Sequence, residues 1–283
     1  MPLLNRDERQ IIFEQDNNKQ VCVHPKLNPF AGEYAKHFHS VEPLKCSEEE
    51  DWLSLSNGTI YIDTRIKKKN HGGISCNITF CDRIDDFDNK DLKELYFSDE
   101  TKLPLLSDYF KANCTATDGS HYKNVHAGIR YAPEYHEKIR TVGSGLGLNI
   151  LILGFHSLSH MTYRRQLTKT YTYFTENLKG IVLNGYNIVG DDTPKALISI
   201  FTGKTELELP RTLKRLVKKD FVDVYPMIWK DFRKKGYVTA WAEDLPHLVT
   251  FTYRIVGFKD SPTDHYLRPF YVTAEHEHYK KQK

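Results

Sequence analysis

The sequence lacks any apolar run of the roughly 20 residues that a membrane-spanning helix requires. Its longest such run, Leu148 to Phe155, is the length of a strand, and the N-terminal Met1-Pro2-Leu3-Leu4-Asn5-Arg6 has no apolar stretch of the kind a signal peptide carries. Charge of one sign is missing too. Forty basic and 37 acidic residues leave a net charge of +3, too small and too mixed to steer a polyanion. The short clusters Lys67-Lys68-Lys69 and Lys280-Lys281 read as solvated faces or tails, so nucleic acid is not expected as a partner. There is no CxxC pair to suggest a compact metal or redox site, and no GxSxG pattern marks a nucleophile elbow.

What the sequence does contain is enough for a packed interior. Apolar residues make up 40% of the 283, and aromatics 12%, which argues against global disorder. The five cysteines, Cys22, Cys46, Cys76, Cys81 and Cys114, all fall in the first 114 residues. Cysteines spread through one region suit a disulfide-tied domain, and hence an oxidising compartment. The competing reading is a cytosolic protein with free buried thiols. Three glycosylation sequons, at Asn57, Asn77 and Asn113, share that region. Their co-location with the cysteines favours an extracellular or secretory-lumen glycoprotein whose targeting segment is not in this chain.

Along the chain, residues 1–20 are polar and read as a disordered N-terminus. Residues 21–140 read as a β-rich, irregular, cysteine-containing region, with strands at Thr59 to Asp63 and Asn124 to Tyr131. The Gly-rich Thr141 to Gly147 segment is a linker; its glycines precede the next strand, whereas a phosphate loop follows one. Residues 148–275 alternate strand and helix. Leu148 to Phe155 is a strand covered on both faces, and Tyr163, Leu167, Tyr171, Phe174 and Leu178 fall on one face of a helix. Ile181 to Val189 and Tyr237 to Ala242 are further strands. Pro194 to Thr202 is a helix with Ala196, Leu197, Ile200 and Phe201 inward and Gly203 at its end. Another helix carries Tyr225, Ile228 and Phe232. The expected fold is α/β, a mostly parallel sheet flanked by helices, followed by a basic tail at 276–283.

Ligands of an open parallel sheet bind beyond the carboxyl ends of its strands. His156, the Gly190-Asp191-Asp192-Thr193-Pro194 turn and Glu243-Asp244 lie in such places. Pro194 suits the first helical position, which makes Thr193 the N-cap. Its hydroxyl either caps the helix or, with a cation beside it, serves as a nucleophile at a positive helix terminus. Spacing alone favours the cap. His156 is a candidate metal ligand or a packed histidine. Asp191, Asp192, Glu243 and Asp244 are candidate ligands or ordinary capping and loop carboxylates. His276 and His278 lie in the tail, where metal binding is not expected.

At these residues the sequence resembles an uncharacterised animal family of the alkaline-phosphatase and sulfatase superfamily. The similarity runs through LNILILGFHSLSH, VLNGYNIVGDDTPKALISIFTGKTELELP, DVYPMIWKDFRKKGYVTAWAEDLP and TFTYRIVGFKDSPTDHYLRPF. It extends upstream through GSHYKNVHAGI and the Cys22, Pro25, Leu27, Pro29, Phe30 segment. The resemblance implies the opening part of an alkaline-phosphatase-like α/β domain that hydrolyses phosphate or sulfate esters with a divalent metal of the zinc or calcium class. It places Thr193 at the nucleophile position and His156 where a metal-binding Asp stands in the family. An imidazole can bind zinc but brings no negative charge. The later Asp-His-Gly ligand segment is absent, and Asp264-His265 is not its equivalent. A zinc site needs about four donors, three or more of them from protein. The expectation is therefore a truncated member that binds no metal and is inactive as this chain, a small ester or glycan being the substrate of a complete parent. The alternative is a non-catalytic extracellular binding module, a pseudoenzyme.

Overall fold

A computed structural model describes residues 27–32, 36–39, 42, 50–69, 73–98, 101–135 and 147–281. The proposed disordered segment 1–20, Cys22, Cys46 and most of the 141–147 linker lie outside them. The chain divides into two compact units, one made of residues 1–45 and 151–188, the other of residues 46–150 and 189–283.

The larger unit begins with an antiparallel β structure. Strands β1 (Leu53–Ser56) and β2 (Thr59–Ile62) form a hairpin, joined by β5 (Leu103–Pro104) in a three-stranded sheet. Its two-residue turn is Asn57-Gly58, both with positive φ (48° and 67°), the conformation a tight hairpin turn requires and Asn-Gly supplies. A short helix α1 (Thr64–Lys69) follows β2. The second sheet has the order β4-β3-β6-β7, from β3 (Ile74–Arg83), β4 (Asn89–Ser98), β6 (Tyr109–Ala116) and β7 (His121–Ala127), every pairing antiparallel. Strict alternation builds it. Ile74, Cys76, Ile78 and Phe80 of β3 point inward between outward Ser75, Asn77 and Thr79, and Phe110, Ala112, Cys114 and Ala116 of β6 do the same. These inward residues pack with Leu53, Ile60, Ile62 and Ile66 into one core. Within it Cys76 and Cys114, direct cross-strand partners, form a disulfide.

His126 of β7 is 8% exposed, stacks on Phe110 with ring centroids 5.2 Å apart, and shares a 2.8 Å hydrogen bond with the Tyr122 hydroxyl. Burial lowers its pKa, and Asp51 opposes this only in part. A base depressed in the folded state contributes its full stability above the unfolded pKa of about 6.5. Below that pH the unfolded chain takes a proton that the folded one refuses, and stability falls. Denaturant midpoints measured between pH 7.5 and 5 should decline less in His126→Phe than in the parent chain. Equal declines would disprove the assignment.

The smaller unit holds α2 (His160–Gln166) and α3 (Thr168–Thr172), continued by a π-helical turn at Tyr173–Asn177. Ser159 caps α2 by accepting from the Thr162 amide at 3.2 Å, and Arg165 donates to the Pro29 carbonyl at 3.1 Å while lying over the Phe38 ring. The single long helix expected through Tyr163 and Leu178 is thus broken into short pieces.

The rest of the larger unit comprises α4 (Thr193–Thr202), α5 (Ile228–Lys234), the paired residues β8 (Ala240–Trp241) and β9 (His265–Tyr266), and α6 (Arg268–Lys281). Helix α4 ends at Gly203 with φ 67°, and buries Ile198 and Phe201; Ile200, expected inward, is exposed. The core here is aromatic. Phe201, Trp229, Trp241, Phe251 and Phe258 meet in tilted and edge-to-face contacts with centroids 5.0–6.4 Å apart.

The expected mostly parallel sheet is overturned. Both larger sheets are antiparallel, and among the described residues the only parallel pairing is the two-residue β8–β9 contact. Leu148 to Phe155 and Ile181 to Val189 form no strand, and their large apolar side chains stay exposed, Leu151 at 88%. A continuous apolar run says that a segment gains by being covered. It does not supply the neighbouring backbone that makes it a strand. No helix among the described residues is long and apolar enough to cross a membrane.

Candidate functional site

Thr193 opens α4, but it is not the cap. Asp192, with extended backbone, takes that position, and its Oδ1 accepts from the Lys195 amide at 2.7 Å. A carboxylate outcompetes a hydroxyl there because it also neutralises the positive helix end. The turn before it is shaped by Gly190 (φ 100°), whose missing side chain leaves room for the stem of Lys195; a Cβ would come within 2.7 Å of it.

Asp192 has further partners. Its Oδ2 lies 3.2 Å from Arg254 Nη2 and 3.4 Å from Lys195 Nζ. Arg254 in turn holds both carboxylate oxygens of Glu206 at 2.9 Å, a bidentate pair that raises its pKa, the Glu206 hydrogen bonds first among the causes. The start of α4 is therefore a closed arrangement of two cations and two anions. Thr193 is half-buried beside it, and no described carboxylate or imidazole hydrogen-bonds its hydroxyl. Replacing the cap should cost about 1 kcal/mol for Asp192→Ala and close to nothing for Thr193→Ala. Chemical denaturation of the two variants reads the difference, and the opposite order would restore Thr193 as the cap.

The other candidate residues are scattered. His156 belongs to the smaller unit, is exposed, and shares a 3.1 Å hydrogen bond with the Ser157 hydroxyl through Nδ1. Glu243 receives the Thr250 amide at 3.1 Å, the Thr250 hydroxyl, and the Trp241 indole N–H at 3.2 Å; burial raises its pKa. Asp191 and Asp244 are exposed, as is His276 on α6. His278 is also on α6. Asn57, Asn77 and Asn113 are all exposed, on the hairpin turn, β3 and β6.

Thr193 and His156 fall in different units, and the carboxylate next to Thr193 is engaged by Lys195 and Arg254. Among the described residues no group of three or more His, Cys, Asp or Glu side chains is placed to hold a metal.

Sequence reasoning missed two buried polar pairings. Asp86, 2% exposed, accepts from Arg83, the Tyr266 hydroxyl (3.0 Å) and the Phe258 amide (2.7 Å), while its backbone carbonyl accepts from Arg268 Nε at 2.6 Å. His265, 4% exposed, holds Asp108 through Nδ1 at 2.7 Å, and Asp108 also takes the Arg130 amide. The preceding Asp264 accepts from the Thr239 amide and hydroxyl and pairs with Arg233. Four of these partnerships, Asp86 with Tyr266, Phe258 and Arg268 and Asp108 with His265, span more than 150 residues, so no local spacing could have signalled them.

Compared with known proteins, the chain matches one family, described as a protein of unknown function (DUF229), over residues 39–283. No curated protein and no solved structure matches it.

Proposed function

This chain belongs to the DUF229 family, and we propose that it is an extracellular, non-catalytic relative of the phosphate- and sulfate-ester hydrolases. The motif resemblance around Thr193 and His156 supports the kinship. The Cys76–Cys114 disulfide supports an oxidising compartment, and the exposed sequons agree with that location.

The observation that carries the non-catalytic reading is the pairing of Asp192. A hydroxyl becomes a nucleophile when a base removes its proton or cations stabilise its alkoxide. At Thr193 the two nearby cations, Lys195 and Arg254, are held by carboxylates, and no described base reaches the hydroxyl. His156 supplies an imidazole where the family has a carboxylate.

The test is turnover of aryl phosphates and aryl sulfates with added zinc, manganese or calcium. The expected rate is that of buffer, unchanged by Thr193→Ala. Metal-dependent hydrolysis abolished by that substitution would overturn the reading. His156→Asp separates its two forms: hydrolysis gained by this variant would locate the loss of catalysis at position 156, and continued silence would place it in the wider donor set.

A further inference from the structure

The outer face of the four-stranded sheet brings two sequons together. Asn77 on β3 and Asn113 on β6 are direct cross-strand partners, both exposed, with Thr79 and Thr115 two positions along on the same face. The row continues with Tyr96 of β4 opposite Asn77 and Lys123 of β7 opposite Asn113. The adjacent Cys76–Cys114 pair is narrow, with Cα atoms 4.0 Å apart. Pairs alternate along an antiparallel ladder, so the asparagines form a wide pair with Cα atoms about 5.5 Å apart. Two glycans rooted that close together would compete for the same space.

We propose that this face carries a single N-linked glycan, on Asn77, its first sugar resting on the Tyr96 ring, and that Asn113 stays unmodified. Tyr96 is 71% exposed and makes no described ring contact. It offers the apolar face of a pyranose a flat apolar partner. Asn113 has a different neighbour: Lys123 holds Glu277 of α6 at 2.8 Å, so a helix flanks that side. The middle residue of its sequon, Cys114, is also the one that must join Cys76. In the transfer, the Asn77 amide nitrogen displaces the diphosphate of a lipid-linked oligosaccharide at the anomeric carbon. The sugar C–O bond breaks, the N–C bond forms, and the amide proton leaves with the lipid diphosphate.

This inference rests on the extracellular reading, and the experiment separates the two. The full chain is secreted from eukaryotic cells behind an added leader, and glycopeptides are mapped after peptide-N-glycosidase release in heavy-oxygen water. Asn77 should carry the label and Asn113 should not. Asn77→Gln and Thr79→Ala should each remove the sheet glycan. Tyr96→Ala should leave Asn77 occupied but abolish the difference in melting temperature between glycosylated and enzymatically stripped protein. Both asparagines labelled in one folded monomer would overturn the inference. So would a bare Asn77 in protein whose Cys76–Cys114 bond is oxidised, a result that leaves the extracellular reading standing. A protein that is bare at all three sequons and reduced throughout would overturn both.

Discussion

Removing the Cys76–Cys114 bond, by reduction or by paired alanine substitution, should destabilise the β structure by about 4 kcal/mol. The bond closes a loop spanning 38 positions, and the chain entropy that such a loop denies the unfolded state amounts to about 4 kcal/mol. The two cysteines sit at the centre of the sheet, 1% and 0% exposed, on the inner face of its two central strands. Reduced β3 and β6 keep their ladder and their Ile78, Phe80 and Phe110 contacts, so the native state changes little and the effect falls on the unfolded ensemble. The measurement is the denaturant midpoint with and without reductant, followed by the near-ultraviolet signal of Trp52, which stacks on Tyr122 within this unit. A loss below about 1 kcal/mol would mean that the unfolded chain holds β3 and β6 together without the bond.

Asp86→Ala should cost about 3–5 kcal/mol, the usual result of removing one partner from a buried charge pair. Arg83 and the Tyr266 hydroxyl would lose their acceptor, and the Phe258 amide would be left unpaired in a buried position. Gly257 gives this expectation an internal control. Its φ is 83°, and a Cβ there would meet Asp86 Oδ2 at 2.4 Å. Gly257→Ala should therefore destabilise by roughly 2 kcal/mol from left-handed strain alone, and by more from the clash. In an Asp86→Ala background the clash with the carboxylate disappears, leaving the strain and the close approach to Thr252 Cγ2 at 3.0 Å, so the two substitutions should be clearly non-additive. Additive costs in thermal or chemical melts would show that Asp86 and Gly257 do not touch in solution.

The parts of this architecture that sequence reveals are those that depend on neighbours along the chain. The alternation at Thr59 to Asp63 becomes β2, Asn124 to Tyr131 overlaps β7, and Pro194 to Gly203 becomes α4 with its left-handed end. What fails is what depends on distant partners. Leu148 to Phe155 has the composition of a buried strand, but strand formation needs a second backbone in register, which composition cannot specify. Spacing puts the cap at Thr193 whereas the structure puts it at Asp192, because Pro is tolerated at either of the first helical positions and the choice turns on a carboxylate that Arg254 and Lys195 also hold. The Asp86 and His265 pairings were invisible for the same reason. Each joins a β-strand loop to a segment more than 150 residues later. Fold class and site geometry both turned on such long-range choices.

One consequence concerns the thiol of Cys81, buried at 1% exposure beside the bulge in β3 and pushed up to about 11 by that burial. Thiolate is the form that alkylating reagents attack, so this sulfur should be inert until the hairpin of β3 and β4 parts. Peptide-resolved alkylation at Cys81 would then act as a stopwatch for that local opening, run on the unmodified chain without any introduced probe.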